Sequence, residues 1–184
     1  TMYCLMVQQR HSAIFQVVPL RKLGMADAIF KVDIVPTPQF TALGEDSVAY
    51  LFTANRTSKP APIERVASGG ELSRVMLALK GILARSKRLP SIIFDEIDTG
   101  VSGQIADAMG EIIAEMSQSM QVIDITHLPQ VASKSGDHFV VYKSEGVTNI
   151  RKLSKAERID EIAKMLSGST ITDAARKQAK ILLG

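Results

Sequence analysis

Between Ser91 and Thr126 two short apolar runs flank one amphipathic stretch, and this pattern limits the possible folds more than any other part of the chain. Ser91-Ile92-Ile93-Phe94 is continuous and apolar, as a strand buried on both faces is. Gln121 to Thr126 repeats that character, with Asp124 interrupting it. In between, Ser102 to Ser117 sets Ile105, Met109, Ile112, Ile113 and Met116 along one helical face. Two strands joined through a helix pair in parallel, with a right-handed crossover. The expectation is an α/β fold with a mostly parallel sheet flanked by helices.

The remaining segments fit around that unit. Ile29 to Val35 and Ser47 to Thr53 alternate apolar and polar residues and predict an antiparallel pair. The prolines at 36 and 38, and again at 60 and 62, predict exposed loops over 36–46 and 55–62. Residues 1–24 have loosely helical spacing, broken by Pro19 and stopped by Gly24. Ser68 with Glu71 is a capping box, opening a helix whose apolar face runs through Leu72, Val75, Met76, Leu79, Ile82 and Leu83 to about Ser86. Ser144-Glu145-Gly146 predicts a hairpin between 138–143 and 147–153. Two closing helices open at Ser154 with Glu157 and at Thr170 with Asp173.

Composition narrows the function classes. At 184 residues and 46% hydrophobic content the chain can bury a core, which excludes intrinsic disorder. The net charge of +3 is too small to mark a nucleic-acid binder by itself. It conceals a separation: residues 1–90 carry 12 basic and 6 acidic side chains, residues 91–184 carry 10 and 13. The single cysteine, Cys4, cannot form an internal disulfide, and Cys and His are too few for a structural zinc site. No apolar run reaches the ~18 to 20 residues that span a bilayer. The chain reads as cytoplasmic, without a membrane role, and its start at Thr1 suggests a processed product or an excised fragment.

Three short motifs carry possible chemistry. In Ser68-Gly69-Gly70-Glu71, two glycines at a helix mouth let backbone N–H groups approach a phosphate, which the helix dipole also attracts; an ordinary capped helix has the same residues. Asp95 and Glu96 end a buried parallel strand, where α/β sheets bind ligands. One carboxylate there can hold Mg²⁺ and its neighbour can polarise a water; a solvated loop is the alternative. His127 ends the next strand after Thr126 and can donate to or accept from a terminal phosphate; a structural histidine is the plainer reading.

Taken in order, these motifs resemble those of the ABC-type ATPases. Ser68-Gly69-Gly70-Glu71 is similar to their signature motif, Ile92 to Glu96 to Walker B, Asp98 to the D-loop and His127 to the switch histidine. Within that superfamily, residues 68–74 (Ser-Gly-Gly-Glu-Leu-Ser-Arg), 94–103 (Phe-Asp-Glu-Ile-Asp-Thr-Gly-Val-Ser-Gly) and 126–132 (Thr-His-Leu-Pro-Gln-Val-Ala) resemble the SMC-like branch that repairs bacterial DNA by recombination. The resemblance covers about Gly24 to Leu183. It implies that Asp95 helps hold Mg²⁺, that Glu96 is the general base for water attacking ATP, and that His127 contacts the γ-phosphate. It also implies that Ser68, Gly69, Gly70 and Glu71 meet nucleotide on a second head, with Asp98 crossing that interface.

The chain has no G-x-x-x-x-G-K-[ST] loop. In the resembled family that loop lies in an N-terminal Walker A lobe, joined through a long coiled-coil arm. The implied identity is therefore a C-terminal head lobe over 25–184, with 1–24 as the end of the arm. Its implied partners are the Walker A lobe, a second head and DNA at the bacterial nucleoid. ATP and Mg²⁺ would bind the intact head and not this chain alone, which is expected to be inactive by itself. A transporter's nucleotide-binding subunit shares the ATPase motifs, but its signature more often has Gln after the two glycines; a non-catalytic dimerisation module is a further alternative. The basic set Lys80, Arg85, Lys87 and Arg88 reads as a solvated helix face or a contact to DNA phosphates.

Overall fold

The computed structural model describes residues 12–15, 18–42, 44–168 and 170–184, in two compact units, Thr1–Lys87 and Arg88–Gly184. The first unit is an antiparallel sheet with helices. Its elements are β1 (Ser12–Phe15), α1 (Val18–Lys22), β2 (Ile29–Thr41), β3 (Gly44–Thr53), β4 (Ala61–Pro62), α2 (Ile63–Val66) and α3 (Gly69–Lys87), with strand order β1-β2-β3-β4. The expected hairpin is present, with Phe30 opposite Phe52, Val32 opposite Tyr50 and Ile34 opposite Val48. Phe30 also stacks on Tyr50, ring centres 6.1 Å apart. Phe30 and Phe52 are buried with Leu20, Leu23, Met25 and Ala28, while Val48 and Tyr50 toward the far end are exposed.

Several expectations for this unit are corrected. Residues 12–15 are a strand, because their backbone pairs with residues 30–33 of β2 where a helix was expected; residues 1–11 of the same reading lie outside the described residues. Among the described residues up to Gly24, helix is confined to α1, where Pro19 occupies the first turn and its missing N–H removes no helical bond. Gly24, at φ 74°, ends that segment by donating to the Arg21 carbonyl. Strand β2 runs on through Pro36 and Pro38. Proline is tolerated there because β1 covers β2 only as far as Asp33, and the pairing with β3 shifts register between Pro36 and Thr41. Helix α3 forms where expected but buries Val75, Leu77, Ala78 and Ala84, leaving Leu72, Met76 and Leu83 exposed. Apolar residues lie around much of this helix, so spacing alone did not select the buried face.

The second unit holds the parallel pair. Strands β5 (Ser91–Asp95) and β6 (Gln121–Ile125) flank α4 (Gly103–Ser117), and they are followed by α5 (Pro129–Ala132), β7 (Phe139–Ser144), β8 (Val147–Lys152), α6 (Lys155–Ser167) and α7 (Asp173–Leu183). The register runs Ser91 opposite Gln121 to Asp95 opposite Ile125, so the two strands end side by side. Helix α4 buries Met109, Ile112, Ile113 and Met116 as the spacing requires. It carries Gly110 against α5, where a Cβ would lie 3.2 Å from the Val131 Cα and 2.9 Å from the Lys134 Cγ.

Burial of the parallel strands on both faces is not observed. Phe94 is buried, but Ile93, Ile123 and Ile125 on the opposite face are 61%, 45% and 51% exposed. The hairpin β7–β8 turns at Glu145 and Gly146, both with positive φ, as a tight hairpin turn demands. Helix α6 has the expected capping box between Ser154 and Glu157, whereas α7 is capped two residues later than expected, by Thr172, whose Oγ1 accepts from the Ala175 N–H. Ile162 and Ala163 pack against Ala175 and Ala179 to join these two helices. No helix among the described residues is long and apolar enough to cross a membrane.

Candidate functional site

The candidate residues fall into two groups, one in each unit. In the first unit, Ser68 caps α3: its N–H and hydroxyl both donate to Glu71 Oε2, at 2.8 and 3.0 Å, and its Oγ accepts from the Glu71 N–H. Glu71 is thereby committed to the cap, and the helix mouth presents Gly69 in the open, where a Cβ would meet nothing within 4 Å. Arg74 braces the first turn, donating from Nε to the Gly70 carbonyl and from NH1 to the Leu23 carbonyl. The result is a capped, exposed N-terminus on a 19-residue helix, the end at which the helix dipole is positive.

In the second unit the carboxyl ends of β5 and β6 bring Asp95, Glu96 and His127 to one end of the parallel sheet, all three exposed. Glu96 has φ 48°, a conformation few residues other than glycine adopt. Two bonds hold it there: its N–H donates to the Ile125 carbonyl at 2.9 Å, and its carbonyl accepts from the Thr99 N–H at 3.1 Å. The chain thus leaves the strand in an abrupt turn that exposes the Glu96 carboxylate. Strained backbone of this kind persists only where its surroundings hold it, and it concentrates at functional sites.

Asp98 is fully buried in the single chain, accepts a hydrogen bond from the Thr126 hydroxyl through Oδ2, and leaves Oδ1 without a partner. Thr126 and Asp124 are residues that the sequence reading named without giving them a role of their own. Asp124 has a buried, unpartnered Oδ1, and its carboxyl is pushed up to about 6, by burial first and by the charge of Asp98 second. The available signal was Asp124 itself, a carboxylate inside an apolar strand.

The donor set bears on Mg²⁺. The described residues hold no cluster of three or more metal-binding side chains. Asp95 is an exposed carboxylate, a hard oxygen donor of the kind Mg²⁺ accepts. The basic side chains Lys80, Arg85 and Lys87 lie in the second half of α3, where cations suit the helix C-terminus.

No protein-family model matches the chain. Among curated proteins it is 45% identical over 168 residues to the DNA repair protein RecN of Rickettsia felis, covering 89% of this chain. It is 44% identical over 149 residues to RecN of Bacillus subtilis, covering 79% of this chain. The chain spans only 31% and 26% of the length of these two relatives. Among solved structures, the Smc head domain with a coiled coil and joint from Pyrococcus yayanosii superposes with TM-score 0.64 at 18% identity, covering 82% of this chain and 28% of that one. A chain from work on ATP-driven dimerisation of SMC ATPases gives TM-score 0.60 at 16% identity, covering 83% of this chain and 89% of that one. The named relatives are DNA repair proteins, not transporter subunits. In sequence the chain is similar to a stretch of the RecN proteins, and in fold it matches SMC head domains.

Proposed function

We propose that this chain, over 25–184, is the C-terminal lobe of an ATPase head that works in recombinational repair of DNA double-strand breaks in the bacterial cytoplasm. The observation that carries the reading is the end of the parallel pair, where Asp95 and Glu96 leave β5 beside the end of β6 that leads to His127, in a chain 45% identical to a DNA repair protein over 168 residues. Phosphoryl transfer to water is catalysed chiefly by positioning and by neutralising charge. Glu96, exposed and held in a fixed turn, is suited to orient and deprotonate the attacking water. His127 at the neighbouring strand end is suited to the γ-phosphate side of the nucleotide. Asp95 would hold Mg²⁺, which supplies charge neutralisation when bound.

Ser68, Gly69 and Gly70 serve a second head. An exposed helix N-terminus with an open glycine suits the terminal phosphate of a nucleotide bound elsewhere. A Walker A lobe must come from another part of the protein, since no phosphate loop occurs in these residues. The working unit is then two heads closed on nucleotide, with DNA as the partner of the intact protein. The decisive experiment is Glu96→Gln in the intact protein. ATP binding should persist within about threefold while turnover falls by about 100-fold or more, the range expected for loss of a positioned base. Turnover at the level of the unsubstituted protein would remove Glu96 from the role.

A further inference from the structure

The loops that present Glu96 and His127 are tied to each other through a polar link that the proposed roles do not use. Thr126 Oγ1 donates its only proton to Asp98 Oδ2 and accepts from the Leu128 N–H at 3.0 Å. One hydroxyl thus spans from the turn after β5 to the loop after β6. Its two contacts bracket the candidate residues. Asp98 lies in the turn that Glu96 begins, between the Glu96 carbonyl and the Thr99 N–H that donates to it. Thr126 and Leu128 stand on either side of His127.

The link is costly in a way that a purely structural contact need not be. Asp98 is fully buried, yet one of its oxygens has no partner. Asp124, two residues before Thr126, leaves a second buried carboxylate oxygen unpartnered. A buried carboxylate with one strong donor gains less than its loss of hydration, so an apolar residue in its place would stabilise the fold better. What the carboxylate supplies is a fixed direction: a charge-assisted bond is short and holds its partners in one geometry.

We propose that Asp98 and Thr126 are positioning residues, a buried latch that sets Glu96 and His127 in register with each other for hydrolysis. This rests on the reading of the chain as an ATPase lobe. The latch has no contact with the reacting atoms. It fixes the turn after β5 against the loop after β6, so that the proposed base and the proposed phosphate contact keep one separation. Loosening it should lower the rate at which bound nucleotide reacts and leave nucleotide binding nearly intact.

The test compares Thr126→Val with Thr126→Ser in the intact protein. Valine keeps the shape and removes the hydroxyl; serine restores it. Loss of a hydrogen bond to a charged group corresponds to about tenfold or more in rate. The latch predicts that kcat for ATP falls by that factor in Thr126→Val, that KM changes by less than about threefold, and that Thr126→Ser recovers most of the rate. An unchanged kcat in Thr126→Val, or a loss that serine does not recover, overturns the latch. Glu96→Gln in the same assay separates the two ideas: if it abolishes turnover while Thr126→Val does not, only the latch fails. A measurement on the unsubstituted intact protein needs no variant to fold. The Leu128 amide should resist hydrogen exchange although it lies outside regular structure, and exchange at the rate of a free loop amide would also overturn the proposal.

Discussion

Asp124 shows how one side chain can govern the acid behaviour of its unit. Its carboxyl holds its proton up to about pH 6 in the folded chain, against 3.8 for an ordinary aspartate. Between those values the folded state binds more protons than the unfolded one, so stability falls as pH rises from about 4 to about 6 and then stays level. Asp124→Asn removes the titration while keeping the shape. The expected result is a melting temperature that exceeds the parent's by a margin growing from pH 4 to 6 and constant above about pH 6.5. Taking the difference between the two proteins also cancels His138. Burial, and after it the charge of Arg158, lowers the pKa of that histidine, so its contribution is lost in the opposite direction, as pH falls. A margin independent of pH would refute the assignment. Individual residues were only partly legible in the sequence. Asp95, Glu96 and His127 could be placed because strand ends are marked by where the apolar run stops. The burial of Asp98 could not, since a polar residue after a strand reads as solvated until its partner in another loop is known.

At the level of elements, the connection from β8 into α6 depends on one carboxylate. Glu157 receives the Ser154 N–H at 2.8 Å, completing the cap of α6, and pairs with the Arg151 guanidinium at 2.6 Å. These contacts hold its carboxyl down to about 2, the bonds from Ser154 first and Arg151 after them. The sign is the reverse of that at Asp124. The contribution is complete above the ordinary value of 4.5 and is lost as pH falls toward 2. Glu157→Gln keeps a side chain able to cap but gives up the charge, so its melting temperature should lie below the parent's at pH 7 and converge with it near pH 2. Gly110 makes a different kind of test. A methyl group there meets the backbone of α5, which cannot swing aside as a flexible side chain can. Gly110→Ala should cost about 1 to 3 kcal/mol in denaturant unfolding, the usual range for overpacking, in spite of alanine's better helix propensity. Elements with a clear period were the legible ones: α4, β5, β6 and the hairpin β7–β8 follow from spacing and turn residues. The extension of β2 through Pro36 and Pro38 was not, because what decides whether proline fits a strand is the presence of a neighbour, and that is a property of the sheet.

For the molecule as a whole, the uncovered face of β5 and β6 matters most. A continuous apolar run predicts cover on both sides, but Ile93, Ile123 and Ile125 lie open while Phe94 is buried. The run is real, and the second cover is what the described residues do not supply. On the reading proposed above, a Walker A lobe provides it. Two outcomes follow for the chain alone: no hydrolysis of Mg-ATP above background, and binding of a hydrophobic dye that falls when a Walker A lobe is added. Hydrolysis by the purified chain, or dye binding unaffected by that lobe, would contradict the reading. The open face has one more consequence. On that reading the stability of the lobe alone is lower than with its cover, since a body that binds only the folded state raises the folded population. Melting temperatures of this lobe should therefore rise as a separately added Walker A lobe is titrated in, and a substitution that weakens the open face should flatten that rise.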